Sequence, residues 1–285
     1  AMLERRMAWY ALDREQARQM ARAAAQRGLF EIRHLADVTR YDEQFNYVGL
    51  DQRWAQGIDL VAEGYFVDFT PEDFAEDVCE VRIEDEERRI ALNRASRVQL
   101  EALKALSSST ITAILDRRVA STRGYQPALF VSVDELREIQ SFSPEQWFGT
   151  ADKAGLRDLL CTDGDMNFAS VNVNTASRAV LEALPDADPR VIDQIMEFRN
   201  GADGEPYTAD DQAFFNHAEI AQVVKVSAEK LGFVNSYCKT SSRSFKIIGH
   251  ASRRRGKVNA YCTITVILGG SQPTIVSWRE DAGGA

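Results

Sequence analysis

No run of apolar residues in this sequence approaches the roughly 20 that a bilayer-spanning helix needs, and no charged-then-apolar signal segment opens it. Histidine is scarce: His34, His217 and His250 stand near no candidate Ser or Cys nucleophile and in no metal-ligand spacing such as HExxH. There is no GxSxG elbow, phosphate loop or dinucleotide fingerprint, so catalysis has no candidate machinery and no enzymatic activity is expected. Cys79, Cys161, Cys238 and Cys262 lie far apart with no CxxC or Cys/His spacing, which argues against a zinc or thioredoxin motif. Composition leaves two states open for them, buried thiols in a reducing compartment or one or two disulfides in an oxidising one. Cations are outnumbered, 34 Lys plus Arg against 43 Asp plus Glu, and the formal net charge of -9 repels phosphate backbones and anionic headgroups alike.

What is present is enough for a sizeable core: 285 residues at 45% hydrophobic content suggest one large or two moderate domains. From Met2 to Arg27, Leu3, Met7, Tyr10, Ala11, Ala17, Met20 and Ala24 recur at three- and four-residue steps, which predicts a helix with Gly28 as its stop. Residues 29–73 read as a long connection with a strand near Tyr65–Val67. Between Val78 and Asp85, Cys79, Val81 and Ile83 alternate with Glu80, Arg82 and Glu84, the pattern of a half-buried strand. Further strands are predicted at 244–249, 257–268 and 274–278, with Val258, Ala260, Cys262, Ile264, Val266 and Leu268 on one face of the middle one. Residues 90–237 read as mostly helical. The expected fold class is therefore α+β, with residues 1–89 and 238–285 forming a helix-and-sheet domain into which a helical domain is inserted.

The insertion carries an internal repeat. Residues 90–118, IALNRASRVQLEALKALSSSTITAILDRR, align without a gap to residues 171–199, VNVNTASRAVLEALPDADPRVIDQIMEFR. Asn93 matches Asn174, Ala95-Ser96-Arg97 matches Ala176-Ser177-Arg178, Leu100-Glu101-Ala102-Leu103 matches Leu181-Glu182-Ala183-Leu184, and Arg118 matches Arg199. Each copy predicts an αα-hairpin whose Asn caps the first helix. Hairpins of this kind include DNA binders, so an extracytoplasmic helix-hairpin-helix DNA-binding protein is the rival reading. The DNA-binding turn needs glycines that let backbone N–H groups approach a phosphate. The turns here, Ala105–Thr110 and Pro185–Pro189, hold none, and the second carries Asp186 and Asp188.

Three segments resemble a known family, the K minor pseudopilins of the type II (general) secretion pathway. Val81-Arg82-Ile83-Glu84-Asp85-Glu86-Glu87-Arg88-Arg89-Ile90-Ala91-Leu92-Asn93-Arg94-Ala95 is similar to that family's xDExGRINLNxA segment, departing at Glu87, Arg88 and Ala91; Val171-Asn172-Val173-Asn174-Thr175-Ala176 is similar to its INVNTA; and Ser241-Ser242-Arg243-Ser244-Phe245 resembles its Ser-x-x-Phe return strand. The resemblance implies a pilin-like long helix packed on an antiparallel sheet. It also implies a place at the pseudopilus tip, capping or initiating assembly beside the I and J type minor pseudopilins. The implied location is periplasmic, on an inner-membrane anchor formed by a helix upstream of Ala1.

Site expectations follow from residues and resemblance together. The first helix has more apolar positions than one sheet-facing stripe requires, so Leu3, Met7, Tyr10, Ala11, Ala17 and Met20 are the expected partner surface. Asp163, Asp165 and Asn167 alternate as in half an EF-hand loop; the residues alone allow either a solvated turn or a hard-cation site completed by Asp203, Glu205, Asp210 or Asp211. The resemblance implies calcium. In a family that works outside the cytoplasm, Cys161 and Cys238, near the ends of the insertion, are expected to pair, a closure that contributes roughly 4 kcal/mol on the chain-entropy model.

Overall fold

A helix of 40 residues, α1 (Met2–Tyr41), lies on a five-stranded sheet. Its strands are β1 (Ile58–Asp59), β2 (Val78–Asp85), β3 (Ser244–Arg253), β4 (Val258–Leu268) and β5 (Pro273–Asp281), in spatial order β1-β2-β3-β4-β5. The computed structural model describes residues 2–41, 46–65, 77–119, 128–269 and 272–281. Of the strand expected near Tyr65–Val67, Phe66 and Val67 lie outside the described residues; Tyr65 is in a turn. The chain divides into two units, Ala1–Asn46 with Leu50–Glu84 and Phe245–Ala285, and Tyr47–Gly49 with Asp85–Ser244. The side chains of Asp85, Glu87, Lys239 and Ser242 all bond within the second unit.

The alternation in the sequence sets the sheet faces. Cys79, Val81 and Ile83 are buried on β2, and Val258, Ala260, Cys262, Ile264 and Val266 on β4, against which α1 chiefly packs. The helix does not stop at Gly28. It runs 13 residues further, to Tyr41, and at about 1.5 Å per residue reaches roughly 60 Å. Gly28 is instead a close approach: a Cβ there would stand 2.5 Å from Ile247 Cγ2 and 2.7 Å from Val81 Cγ2. Gly249 on β3 mirrors it, since its Cβ would meet Ala21 O at 2.2 Å. Ala17, Ala21, Ala24 and Ala25, all buried, complete a small-residue face that brings helix and sheet together. Arg22 clamps Glu280 of β5 in a two-pronged pair at 2.8 and 2.7 Å.

The second unit is a duplication larger than the aligned hairpins. Copy one places α2 (Arg97–Ala102) and α3 (Ser108–Arg118) after Ile90–Ala91, which pairs in parallel with Leu160–Cys161; copy two places α4 (Arg178–Glu182) and α5 (Pro189–Arg199) after Val171–Asn172, which pairs in parallel with Cys238–Lys239. The two Asn residues do not cap the helices. Ser96 and Ser177 do, accepting from Gln99 N and Val180 N at 3.3 Å each. Asn93 is buried and clasps Phe130 through both its N–H and C=O, its amide also reaching Thr162 O; Asn174 does the same with Phe214 and Thr240. Arg118 donates to Leu92 O and Ala95 O, and Arg199 to Val173 O and Ala176 O. An Asn at this position thus serves as a cross-brace between chain segments, because its two-sided amide satisfies a backbone N–H and a C=O at once.

Candidate functional site

The first three turns of α1 are exposed and rich in apolar residues, with Glu4, Arg5 and Arg6 among them. Met7, Trp9, Tyr10 and Leu12 are 65, 59, 46 and 53% exposed, and Met2 and Ala11 are exposed as well. At 100° per residue these side chains leave the helix in several directions. Ala17 and Met20, grouped with them in the expected partner set, are buried in the unit's own core, since the sheet covers the helix from there on. For Leu3 only the helical backbone is described. Where exposure ends, Asp13 is buried and held by Arg253 at 3.3 Å and Arg254 at 2.5 Å, while Arg253 also donates to Asp77 at 2.8 Å. This ion network fixes the β3–β4 hairpin beside the helix.

The acidic residues form two separate loops. Asp165 is buried, and its carboxylate accepts the N–H groups of Asn167, Phe168 and Ser170 at 3.0, 3.3 and 3.1 Å, with Lys239 Nζ at 3.6 Å. Asp163 accepts from the Thr162 hydroxyl, and Asn167 is exposed. In the second loop Asp203 accepts from Glu205 N, Asp210 from Ala202 N and Asp203 N, and Asp211 from Tyr207 N and Thr208 N. Asp211 Oδ1 is buried with no hydrogen-bond donor, and burial raises the carboxyl pKa. Among the described residues no group of three or more His, Cys, Asp or Glu side chains converges as a metal shell.

Cys161 and Cys238 are not bridged; both are buried free thiols. They occupy different ladders, Cys161 pairing with Ala91 and Cys238 with Val171, and Cys161 Sγ donates to Glu86 O at 3.2 Å. Burial pushes both pKa values up, that of Cys238 to about 12. Two of the histidines have ordinary partners: His217 Nε2 contacts Cys238 O, and His250 stacks on Tyr261 and contacts Glu80. In the hairpin turns the left-handed backbone positions fall on Lys104 and Asp186, where a phosphate-binding turn has glycine.

Sequence reasoning missed a buried polar hub. The Asp85 carboxylate accepts from Thr175 Oγ1 and Ser242 Oγ at 2.6 Å each, from Glu87 N at 2.8 Å and from Asn172 Nδ2 at 3.0 Å, with no cation among these partners. Asn172 also reaches Val48 O at 2.9 Å. Beside it, Lys239 is paired with Glu87, whose pKa burial raises. One signal was available: Asn172 stands where the first copy has Ala91.

A long helix on an antiparallel sheet, with a duplicated helical unit inserted in the chain between strands, defines a pilin-like α+β protein. The fold matches that of a chain in the crystal structure of the GspK-GspI-GspJ complex from the enterotoxigenic Escherichia coli type 2 secretion system. The match has TM-score 0.61 and 13% sequence identity, and covers 98% of this chain and 100% of that one. The fold is therefore that of a GspK-like minor pseudopilin. No protein-family model and no curated protein matches the sequence.

Proposed function

We propose that this chain is a K-type minor pseudopilin of type II secretion, working in the periplasm at the pseudopilus tip, where its helical unit caps or initiates the assembly and its first helix packs on I and J type minor pseudopilins. The observation that carries the reading is the apolar opening of α1. A helix exposing Met7, Trp9, Tyr10 and Leu12 in several directions is built for burial in an assembly. Burying each contributes about 1.5–3 kcal/mol, a sum large enough to offset the cost of association. The solved neighbour is itself part of a three-protein complex, which supports the choice of partners. The test is co-purification with the I and J type pseudopilin domains of the same genome. Wild type should form a complex at micromolar concentration, whereas Met7→Glu with Tyr10→Glu should keep its circular dichroism and lose binding. A double variant that binds as wild type would overturn the reading.

We also propose that calcium binds at the Asp203–Asp211 loop, with Asp211 Oδ1 among its oxygen donors. Supporting it is Asp211 Oδ1, a buried acceptor without a donor that a hard cation would satisfy. Asp165, by contrast, has both oxygens engaged by its own loop.

A further inference from the structure

The terminal strand β5 is apolar where such strands are normally guarded. Ile275, Val276 and Trp278 are 45, 51 and 40% exposed, and among the described residues β5 pairs within the sheet with β4 alone. Exposed apolar edges invite other chains, and stable proteins blunt them with charge, proline or a cover. Trp278 stands opposite Ile264 and Ile275 opposite Val266, both of which are buried on the face that α1 covers, so Trp278 and Ile275 project on the helix side of the sheet. The indole is held in place: Trp278 Nε1 donates to Glu280 Oε1 at 2.7 Å, and Glu280 is gripped by Arg22 of α1. An exposed aromatic already fixed in this way loses little freedom when a partner covers it.

Strand direction places this patch along the helix. Gly28 meets Ile247 and Asp13 meets Arg253, so α1 runs against β3; β4 returns beside β3 after the turn at 254–257, and β5, antiparallel to β4, again runs against α1. From Glu280, beside Arg22, β5 therefore leads through Trp278 to Ile275 along the second half of α1. At 100° per residue Met7, Ala11, Arg18, Arg22 and Leu29 fall on one side of α1, the side from which Arg22 reaches β5. The exposed opening and the β5 patch thus share one flank, with Trp278 about 30 Å beyond Met7 at 1.5 Å per helical and 3.3 Å per strand residue.

We propose that the partner helix lies alongside α1 over the β5 edge, with Trp278 and Ile275 as its floor and Met7 and Ala11 at its far end. The inference rests on the helix-packing reading above and extends the surface it uses. Packed helices stand about 8–10 Å apart and neighbouring strands about 4.8 Å, so a helix beside α1, which packs chiefly on β4, overlies β5. The apolar side chains at the opening leave α1 in several directions, and a helix confined to that end meets only some of them, short of the roughly 800 Å² per partner that a stable complex buries. The β5 patch supplies further area on the same flank. An occupant covering both ends of this surface needs about 20 residues of helix with an apolar face toward Trp278. Arg22 and Glu280 stay paired beneath it, so no charge has to find a new partner.

The experiment measures the affinity of Trp278→Lys, Ile275→Lys and Trp278→Phe for the same I and J type domains by titration calorimetry, with circular dichroism to confirm each fold. Either lysine variant should weaken binding on the order of tenfold or more, and Trp278→Phe, which keeps an aromatic floor, should stay within about threefold of wild type. In protein labelled with 5-fluorotryptophan, the fluorine resonance that Trp278→Phe removes should shift when partner is added. Lysine variants that bind as wild type, while Met7→Glu with Tyr10→Glu loses binding, overturn the β5 seat and leave helix packing standing. Sedimentation that shows a dimer of this chain, lost in Trp278→Lys with partner affinity unchanged, overturns it in favour of a second copy on β5. Failure of wild type to bind either domain overturns both readings.

Discussion

Removing the carboxylate of Asp85 tests the buried hub most directly. Asp85→Ala strands the Thr175 and Ser242 hydroxyls, the Glu87 N–H and one N–H of Asn172, all of which point at it from within 3.0 Å. Each buried donor left unmade costs about 1–3 kcal/mol, but Asn172 keeps Val48 O and Ser242 Oγ as acceptors, so the net expectation is about 3–5 kcal/mol. Against a typical total of about 5–15 kcal/mol that loss is large. Asp85→Asn keeps the volume and removes the charge, yet turns an N–H₂ toward donors, and should cost about 1–2 kcal/mol once the hydroxyls rotate to accept. The pH dependence has a definite sign. Burial outweighs the hydrogen bonds and raises the folded pKa of Asp85. A raised carboxyl contributes stability that is complete below its unfolded pKa and declines as pH climbs through the folded one. The deficit of Asp85→Asn against wild type should therefore shrink as pH rises from the unfolded carboxylate range, near 4, through the raised value. Urea unfolding followed by circular dichroism reads both quantities. An Asp85→Ala deficit below about 1 kcal/mol, or an Asp85→Asn deficit that grows with pH, would refute the reasoning.

Gly28→Ala improves helix propensity by about 1 kcal/mol but drives a methyl into Ile247 and Val81, and overpacking of that kind costs about 1–3 kcal/mol. The variant should melt lower than wild type; a higher melting temperature would mean the helix does not lie as close to the sheet as Gly28 indicates. Calcium at the Asp203–Asp211 loop should raise the melting temperature by several degrees between excess EDTA and millimolar calcium, through mass action on the folded state. Asp210→Asn with Asp211→Asn should erase the difference, and identical wild-type melts in the two buffers would rule the site out.

The sheet was legible because strand burial has period two: the alternation from Cys79 to Ile83 and from Val258 to Val266 leaves only one face that can be buried. Gly28 misled for a physical reason. Glycine ends helices where the backbone turns left-handed, but the same missing side chain is demanded wherever helix and sheet touch, and sequence does not distinguish the two uses. The first turns of α1 were read as a surface, yet Ala17 and Met20 were not separated from Met7 and Tyr10, because where the sheet begins to cover the helix depends on strands about 240 residues away. The hub was out of reach for the same reason: Asp85 meets its partners across 87, 90 and 157 residues.

The duplication was found only in part, and the hydrogen bonds explain where the alignment stopped. Asn93 clasps Phe130 across 37 residues, Asn174 clasps Phe214 across 40, and the amides reach Thr162 and Thr240 across 69 and 66. Insertions of opposite sense between conserved contacts defeat a gapless comparison, although the bonds themselves are the same. What the copies share is the Asn cross-brace, the Ser cap and the arginine that closes the hairpin, all of which make the fold. The contrast lies at the paired strands: Ala91 beside Cys161 in the first, Asn172 beside Lys239 in the second. The second junction is polar because it receives Asp85 and Glu87 as the chain enters the unit and Ser242 as it leaves.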